Sequence, residues 1–412
     1  MYKIFNFVVV FCVFTGLMQC TKNPLLPTGE LPRELTSLEK LVVESGGNFG
    51  LKLFKEINKE ERDKNIFISP LSVSMALGMT YNGANGSTEE AMQGTLELGG
   101  LTNQEVNESY KSLIELLIEL DPKVKFQIAN SIWYRQGYTF EEAFLNQCRT
   151  YFNAEVRGLD FSNPNAPSII NEWVNYNTNG KIKEIVDAPI DRLTVMFLIN
   201  AIYFKGTWKY EFDKSKTADD LFTLPDGSKK PCKMMNQKNE EFQYFENVDF
   251  QAIDLHYGVG GFRMAIFLPR PGKNINDFIE ELNSGNWDLW FNSFSKKEVT
   301  LQLPRFKLEY EIKLNDVLKA LGMGIAFSVK EADFTRMYNG SPGVFIDKVK
   351  HKTYIDVNEE GTEASAVTSV EMKLKGISGF TMRVDRPFIF VIREHQSNTM
   401  LFTGKIVEPM LE

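Results

Sequence analysis

The stretch Val357–Lys375, V-N-E-E-G-T-E-A-S-A-V-T-S-V-E-M-K-L-K, decides how the rest of the chain is read. From Thr362 it alternates: Thr362, Ala364, Ala366, Thr368, Val370 and Met372 fall on one side. Glu363, Ser365, Ser369, Glu371 and Lys373 fall on the other, with Val367 the apolar intruder. A period of two marks a strand with one buried and one wet face. Most such runs are ordinary strands or solvated loops. Here the inward residues are too small to anchor a core. Gly361 opens the run as a backbone swivel, and Gly376 and Gly379 loosen its far end. The segment reads as one that adopts a strand in one state and not in another.

The chain around it has 412 residues, 43% hydrophobic and 24% charged. That is ordinary globular composition with ample material for a large core. The net charge is −8 and no Lys/Arg-rich run stands out, which argues against nucleic acid as a partner. Met1–Cys20 reads as an export signal: Lys3 supplies the positive end, and Ile4–Phe14 is almost wholly apolar yet too short to span a bilayer. Leu17-Met18-Gln19-Cys20 resembles a bacterial lipoprotein box, in which the Cys is lipidated; Gln19 departs from the small residue usual there. Simple secretion is the other reading. Residues 21–36, with three prolines by Pro32, read as a tether. A single folded unit then spans residues 37–412. With Cys20 acylated, Cys148 and Cys232 remain as a pair whose separation the sequence does not give.

Ser37 is placed to cap a helix from Leu38, and a second helical pattern follows Gly46-Gly47. Asn65–Leu77 is a short strand running into a helix, with Ser69 as cap and Pro70 in the first turn. Lys125–Tyr134 alternates as a strand, and Pro167–Tyr176 is an amphipathic helix. Thr194–Phe204 is a near-continuous apolar run, predicted to lie mid-sheet and buried on both faces. Ala252–His256, Phe262–Leu268, Glu298–Leu303, Gly343–Val357 and Phe388–Arg393 also read as strands. The pattern is α+β in one large unit.

Catalytic motifs are weak. The histidines, His256, His351 and His395, have no metal spacing, and there is no C-x-x-C. Gly376-Ile377-Ser378-Gly379-Phe380 fails the nucleophile elbow at its last position. Gly258-Val259-Gly260-Gly261-Phe262-Arg263 ends in Arg where a dinucleotide loop needs Gly. No metal or cofactor is expected, and an enzyme is the weakest class of answer.

Several stretches together resemble the serpin family. Asn65–Ser72 (N-I-F-I-S-P-L-S) is similar to its strand-to-helix segment beneath the main sheet. Leu198–Trp208 (L-I-N-A-I-Y-F-K-G-T-W) is similar to its central strand. Asn358–Ala366 (N-E-E-G-T-E-A-S-A) resembles its hinge, and Val384–Phe390 with Phe402-Thr403-Gly404 its C-terminal signature. The resemblance spans about Ser37 to Pro409. It implies three β-sheets, eight to nine helices and an exposed reactive-centre loop. It further implies a suicide substrate: a protease attacks one loop bond, and the loop inserts as a new strand before the acyl-enzyme is released. Such a monomer would form a covalent complex with a serine protease. A cysteine protease target, or a non-inhibitory serpin, is the alternative.

By family spacing from Glu359 the attacked carbonyl is Lys375, with Gly376 on the leaving side, which suits a trypsin-like enzyme. Counting back from Pro387 gives Gly376; Lys373 and Met372 stay open. The hinge is Glu359, Gly361, Thr362, Glu363, Ala364, Ser365 and Ala366. The run from Glu359 to Lys375 holds no proline, so an inserted strand would lack no donor. Its alternation predicts Thr362 inward and Glu363 wet. Fifteen residues, Gly361 to Lys375, would reach roughly 50 Å as a strand. Beneath the sheet the resemblance implies a hydrogen-bonded cluster of Ser69, Ser72, Asn200 and His351. Trp208 would pack where the loop first inserts.

Overall fold

The computed structural model describes residues 29–363 and 380–410. The chain opens with α1 (Ser37–Glu60), β1 (Ile66–Ile68), α2 (Pro70–Tyr81), α3 (Gly86–Thr95) and α4 (Asn103–Ile118). Next come β2 (Val124–Arg135), α5 (Glu142–Phe152), β3 (Glu155–Leu159), α6 (Ala166–Asn177) and β4 (Met196–Thr207). β5 (Ala218–Thr223), β6 (Lys229–Glu246), β7 (Phe250–His256) and β8 (Phe262–Pro269) follow. Then come α7 (Ile275–Glu280), α8 (Ser284–Asn292), β9 (Ser295–Pro304), β10 (Phe306–Lys313) and α9 (Asn315–Leu318). The last strands are β11 (Lys350–Asn358), β12 (Gly361–Thr362), β13 (Phe380–Arg383), β14 (Phe388–Glu394) and β15 (Met400–Ile406).

The six-stranded sheet has the order β10-β11-β12-β4-β2-β3. The nine-stranded network runs β1-β15-β14-β8-β7-β6-β9-β13, with β5 also on β6. The three sheets implied by the resemblance therefore form two hydrogen-bonded networks among the described residues. The larger is continuous because β6 and β9 pair along most of their length, on either side of a register shift between Gln237 and Glu240. Such a shift bends and twists a strand pair, so one pair serves two sheets.

Between the two networks lies an aromatic core. Phe67 of β1 stacks on Phe390 and Phe402, at 5.6 and 5.3 Å between ring centroids. α2 runs under the smaller sheet and is buried on nearly every side. Its Ser69 cap accepts from the Ser72 N–H, and Pro70 sits in the first turn, as the sequence predicts. α6 covers the outer face of β2 and β4, where Ile170 and Val174 pack with Trp133 and Ile199. Cys148 and Cys232 are free thiols, both buried. Burial pushes their pKa values up, to about 12 and about 11.

Four local expectations are corrected. α1 is one 24-residue helix, unbroken at Gly46-Gly47. A Cβ at either glycine would meet nothing within 4 Å, so both face open space and cost only propensity. Its cap is Thr36, not Ser37, in a reciprocal box with Glu39. The strand read from Gly343 begins at Lys350. Upstream, Ile346 N–H donates to Ala326 O and Leu314 N–H to Val349 O, so that backbone is bonded to other segments. β4 is buried alternately rather than on both faces: Ile199, Ala201 and Tyr203 are buried, while Leu198 and Ile202 are half-buried.

Gly404 of β15 crosses the aromatic core closely. A Cβ there would lie 2.5 Å from the Phe390 ring and 2.9 Å from the Ile66 carbonyl oxygen. Gly404→Ala is expected to destabilise the fold by about 1–3 kcal/mol, since neither ring nor backbone has room to yield. Chemical denaturation of the purified variant measures it.

Candidate functional site

β12 is two residues long and sits between β11 and β4. Val357 pairs with Thr362 and Asn358 with Gly361 on one edge. Gly361 pairs with Thr207 and Thr362 with Gly206 on the other. Both pairings are antiparallel, so β4 and β11 run parallel to each other. Among the described residues β4 and β11 are joined only through β12.

Gly361 is required here. Its φ is +149°, and a Cβ would fall 2.0 Å from the Gly206 carbonyl oxygen. The swivel read from the sequence is also a point of backbone contact. Next to it the Thr362 hydroxyl lies 2.6 Å from the Tyr257 hydroxyl, in a fully buried pair. Burial raises the Tyr257 pKa far above the ordinary phenol value. Trp208 stacks on Tyr257, at 4.4 Å between centroids, and donates from Nε1 to Asn358 O at 2.9 Å. Thr362 thus faces inward, and Trp208 packs against the turn that leads into β12.

The turn before β12 is fixed by charge. Glu359, 1% exposed, accepts from Arg305 Nε at 2.7 Å and from the Thr217 hydroxyl. Glu360 pairs with Lys214. The backbone oxygens of Glu360 and Glu359 accept from the Trp208 and Phe212 N–H groups at 2.8 and 2.9 Å. None of Arg305, Thr217, Lys214 and Tyr257 was legible as part of the site, because they come from loops and strand ends remote in sequence.

Glu363 corrects the reading of a wet face. Its side chain is 4% exposed, 3.6 Å from Lys181 Nζ. The segment after α6 roofs this end of the sheet, so the outward side is covered. Glu363 also has φ +57°, in the left-handed region, which ends β12. Burial raises its pKa above the ordinary carboxylate range, partly offset by Lys181. A narrow cleft runs beneath it, lined by Ile202 and Phe204 of β4, Tyr354 and Ile355 of β11, and Phe67 and Phe402 from below.

The predicted cluster under the sheet is divided. Ser69 N–H donates to His351 Nε2 at 3.0 Å, Ser69 Oγ donates to Leu401 O at 2.6 Å, and Ser72 N–H donates to Ser69 Oγ at 3.2 Å. Asn200 does not join them. Its Nδ2 donates to Asn130 Oδ1 at 2.7 Å, and Asn130 is its cross-strand partner on β2. The reason is the separation of the strands: Asn200 is on β4 and His351 on β11, with no ladder between them. An asparagine inside the apolar run of β2 was the sequence signal that would have found Asn130. The remaining expected positions, Ala364, Ser365, Ala366, Met372, Lys373, Lys375, Gly376 and Cys20, lie outside the described residues. Among the described residues no His, Cys, Asp and Glu side chains gather as a metal site, and no helix is long and apolar enough to cross a membrane.

His351 is fully buried and accepts a hydrogen bond, so it is neutral. Burial lowers its pKa from 6.5 to about 4. The unfolded chain therefore takes up the proton first. Stability from this group is full above about pH 6.5 and is lost as pH falls toward 4, on the order of 3 kcal/mol in all. His256 and His395, also lowered to about 4, add in the same direction. Urea midpoints are expected to fall across this window. His351→Gln keeps an acceptor without a titration, so its curve should be flatter.

The chain matches the family model described as Serpin (serine protease inhibitor) over residues 44–409. Human neuroserpin is 33% identical over 377 residues, covering 89% of this chain and 91% of that one. A serpin-like protein of Thermococcus kodakarensis is 34% identical over 390 residues, covering 93% and 89%. Among solved structures, the thermophilic serpin tengpin in its native state aligns with a TM-score of 0.83 at 31% identity, over 91% of this chain and 95% of that one. A hinge seated at the head of the smaller sheet, this shared architecture and the match over most of the sequence lead to one conclusion: the chain belongs to the serpin family.

Proposed function

We propose that this serpin is an irreversible inhibitor of trypsin-like serine endopeptidases. The observation that carries the reading is β12: a strand already begun between β4 and β11, which nothing else among the described residues joins. The protease attacks at Lys375–Gly376. The loop then continues β12 down the sheet, carrying the acylated protease with it. The chain needs no cofactor and works once, as a monomer. We place it outside the cytoplasm, exported by residues 1–20 and held at a membrane through lipid on Cys20.

Continuation of β12 has a physical drive. An added strand would lie antiparallel to both neighbours and complete two ladders at once. The aromatic floor of Phe67 and Phe402 offers apolar surface to its inward face. The competing rate is hydrolysis of the acyl-enzyme. Each ~1.4 kcal/mol added to the insertion barrier costs tenfold in that race.

Incubation with a trypsin-like protease is expected to give an SDS-resistant complex and a C-terminal fragment beginning at Gly376 that separates from it only on denaturation, since it carries β13, β14 and β15. Cleavage without complex at every ratio refutes inhibition of that protease. Thr362→Arg forces a cation into the buried place of a hydroxyl against Tyr257. It is expected to be cut at the same bond while the protease survives. Efficient trapping by this variant would contradict the inward assignment of Thr362.

A further inference from the structure

The segment that follows Thr362 must carry a carboxylate, Glu363, under the roof formed after α6. A buried carboxylate without a counter-charge opposes its own burial. The groups facing it are few. Lys181 Nζ is 3.6 Å away and also sits over the Tyr354 ring at 4.6 Å from the centroid. Tyr203 of β4 and Tyr354 of β11 flank the position. Asp356 of β11 is the other nearby acid, and its backbone oxygen accepts from the Glu363 N–H at 3.0 Å. Lys181 is therefore the cation that the surroundings provide against two acids. It is itself 32% exposed at the side chain, held at the margin of the cleft with its charge inward.

We propose that Lys181 is a positioning residue for loop insertion: it supplies the counter-charge that admits Glu363 between β4 and β11. The inference rests on the insertion reading above and adds a residue to it. Its logic is geometric. Thr362 faces the aromatic floor, and Glu363, turned by its left-handed backbone at the end of β12, faces the roof, so seating one buries the other. Lys181 belongs to neither flanking strand. It comes from the segment after α6, whose Thr178 and Ile182 line the same cleft. The roof over the sheet thus selects the hinge by charge as well as by shape, and a strand shifted by one residue would present Thr362 or Ala364 to Lys181 instead.

Three chains test this: wild type, Lys181→Glu, and Lys181→Glu with Glu363→Lys. Hydrogen exchange at the Glu363 amide reads the hinge in the intact protein, without a protease. Exchange is expected to quicken about tenfold or more in Lys181→Glu, where two carboxylates face each other, and to return in the charge swap. Unchanged exchange in the single variant, or no recovery in the swap, overturns the proposal. A packing role for Lys181 on Tyr354 would not be repaired by a change at Glu363. With protease present, the fraction cleaved without trapping should rise several-fold in Lys181→Glu and fall back in the swap. A wild type that traps no protease defeats the inhibitor reading alone; the exchange series still decides the pair. Should Lys181→Glu not fold, Lys181→Met with and without Glu363→Gln replaces it. The single change is expected to lose protection, and the neutral pair to regain it.

Discussion

The passage of Gly361 across Gly206 is the contact on which the head of the smaller sheet depends. Backbone meets backbone there with no room for a Cβ, and the φ of +149° is open to glycine alone among ordinary residues. That single crossing lets a strand start between two others that already have partners on their far sides. β11 pairs with β10 and β4 with β2, so each has one satisfied edge and one edge turned to the cleft. Because β4 and β11 run the same way, closing directly on each other would give a parallel ladder. Accepting a strand between them gives two antiparallel ladders, with more hydrogen bonds and better geometry for each. The sheet's preference for an extra strand is thus a property of its strand directions, before any side chain is considered.

Side chains decide where that strand is held. Glu359 and Glu360 are adjacent acids, and both are buried. Adjacent buried carboxylates would repel and pay desolvation twice, yet each is matched: Glu359 by Arg305 and the Thr217 hydroxyl, Glu360 by Lys214. The matching groups come from two separate segments, Arg305 from between β9 and β10, and Lys214 with Thr217 from the turn before β5. The turn is consequently held by side chains on both of its acids, directly beside the Gly361 crossing.

The inward side of Thr362, the Ser69-Pro70 helix start and the family motifs were legible in the sequence because each is local: neighbours along the chain set the period, the cap or the turn. What lay beyond reach was set by other segments. Glu363 reads as solvent-facing by its period of two, and only the position of α6 and its following turn reveals the roof. The family resemblance brings Asn200 and His351 into one cluster, but their meeting requires β4 and β11 to touch, and the alignment of two strands is not written in either. Gly46-Gly47 look like a helix break by propensity. The capping box at Thr36 and the buried face from Val42 to Ile57 outweigh two half-buried glycines.

The divided cluster under the sheet shows how the cleft is kept ready. On the β11 side His351 Nε2 accepts from the Ser69 N–H, and the Ser69 hydroxyl in turn donates to Leu401 O. On the β4 side Asn200 Nδ2 has Asn130, while Asn200 Oδ1 has no hydrogen-bond partner among the described residues. A buried amide oxygen left without a donor costs on the order of 1–3 kcal/mol. That cost belongs to the separated strands and would be relieved by any donor brought between them. His351, whose ring carries a second nitrogen, is one such donor if β4 and β11 close; the N–H groups of an arriving strand are another. The middle of the cleft therefore does not hold the sheet in its present state. It favours either outcome over the gap, and the choice between them passes to the head of the sheet, where Gly361 and Thr362 have already taken their places.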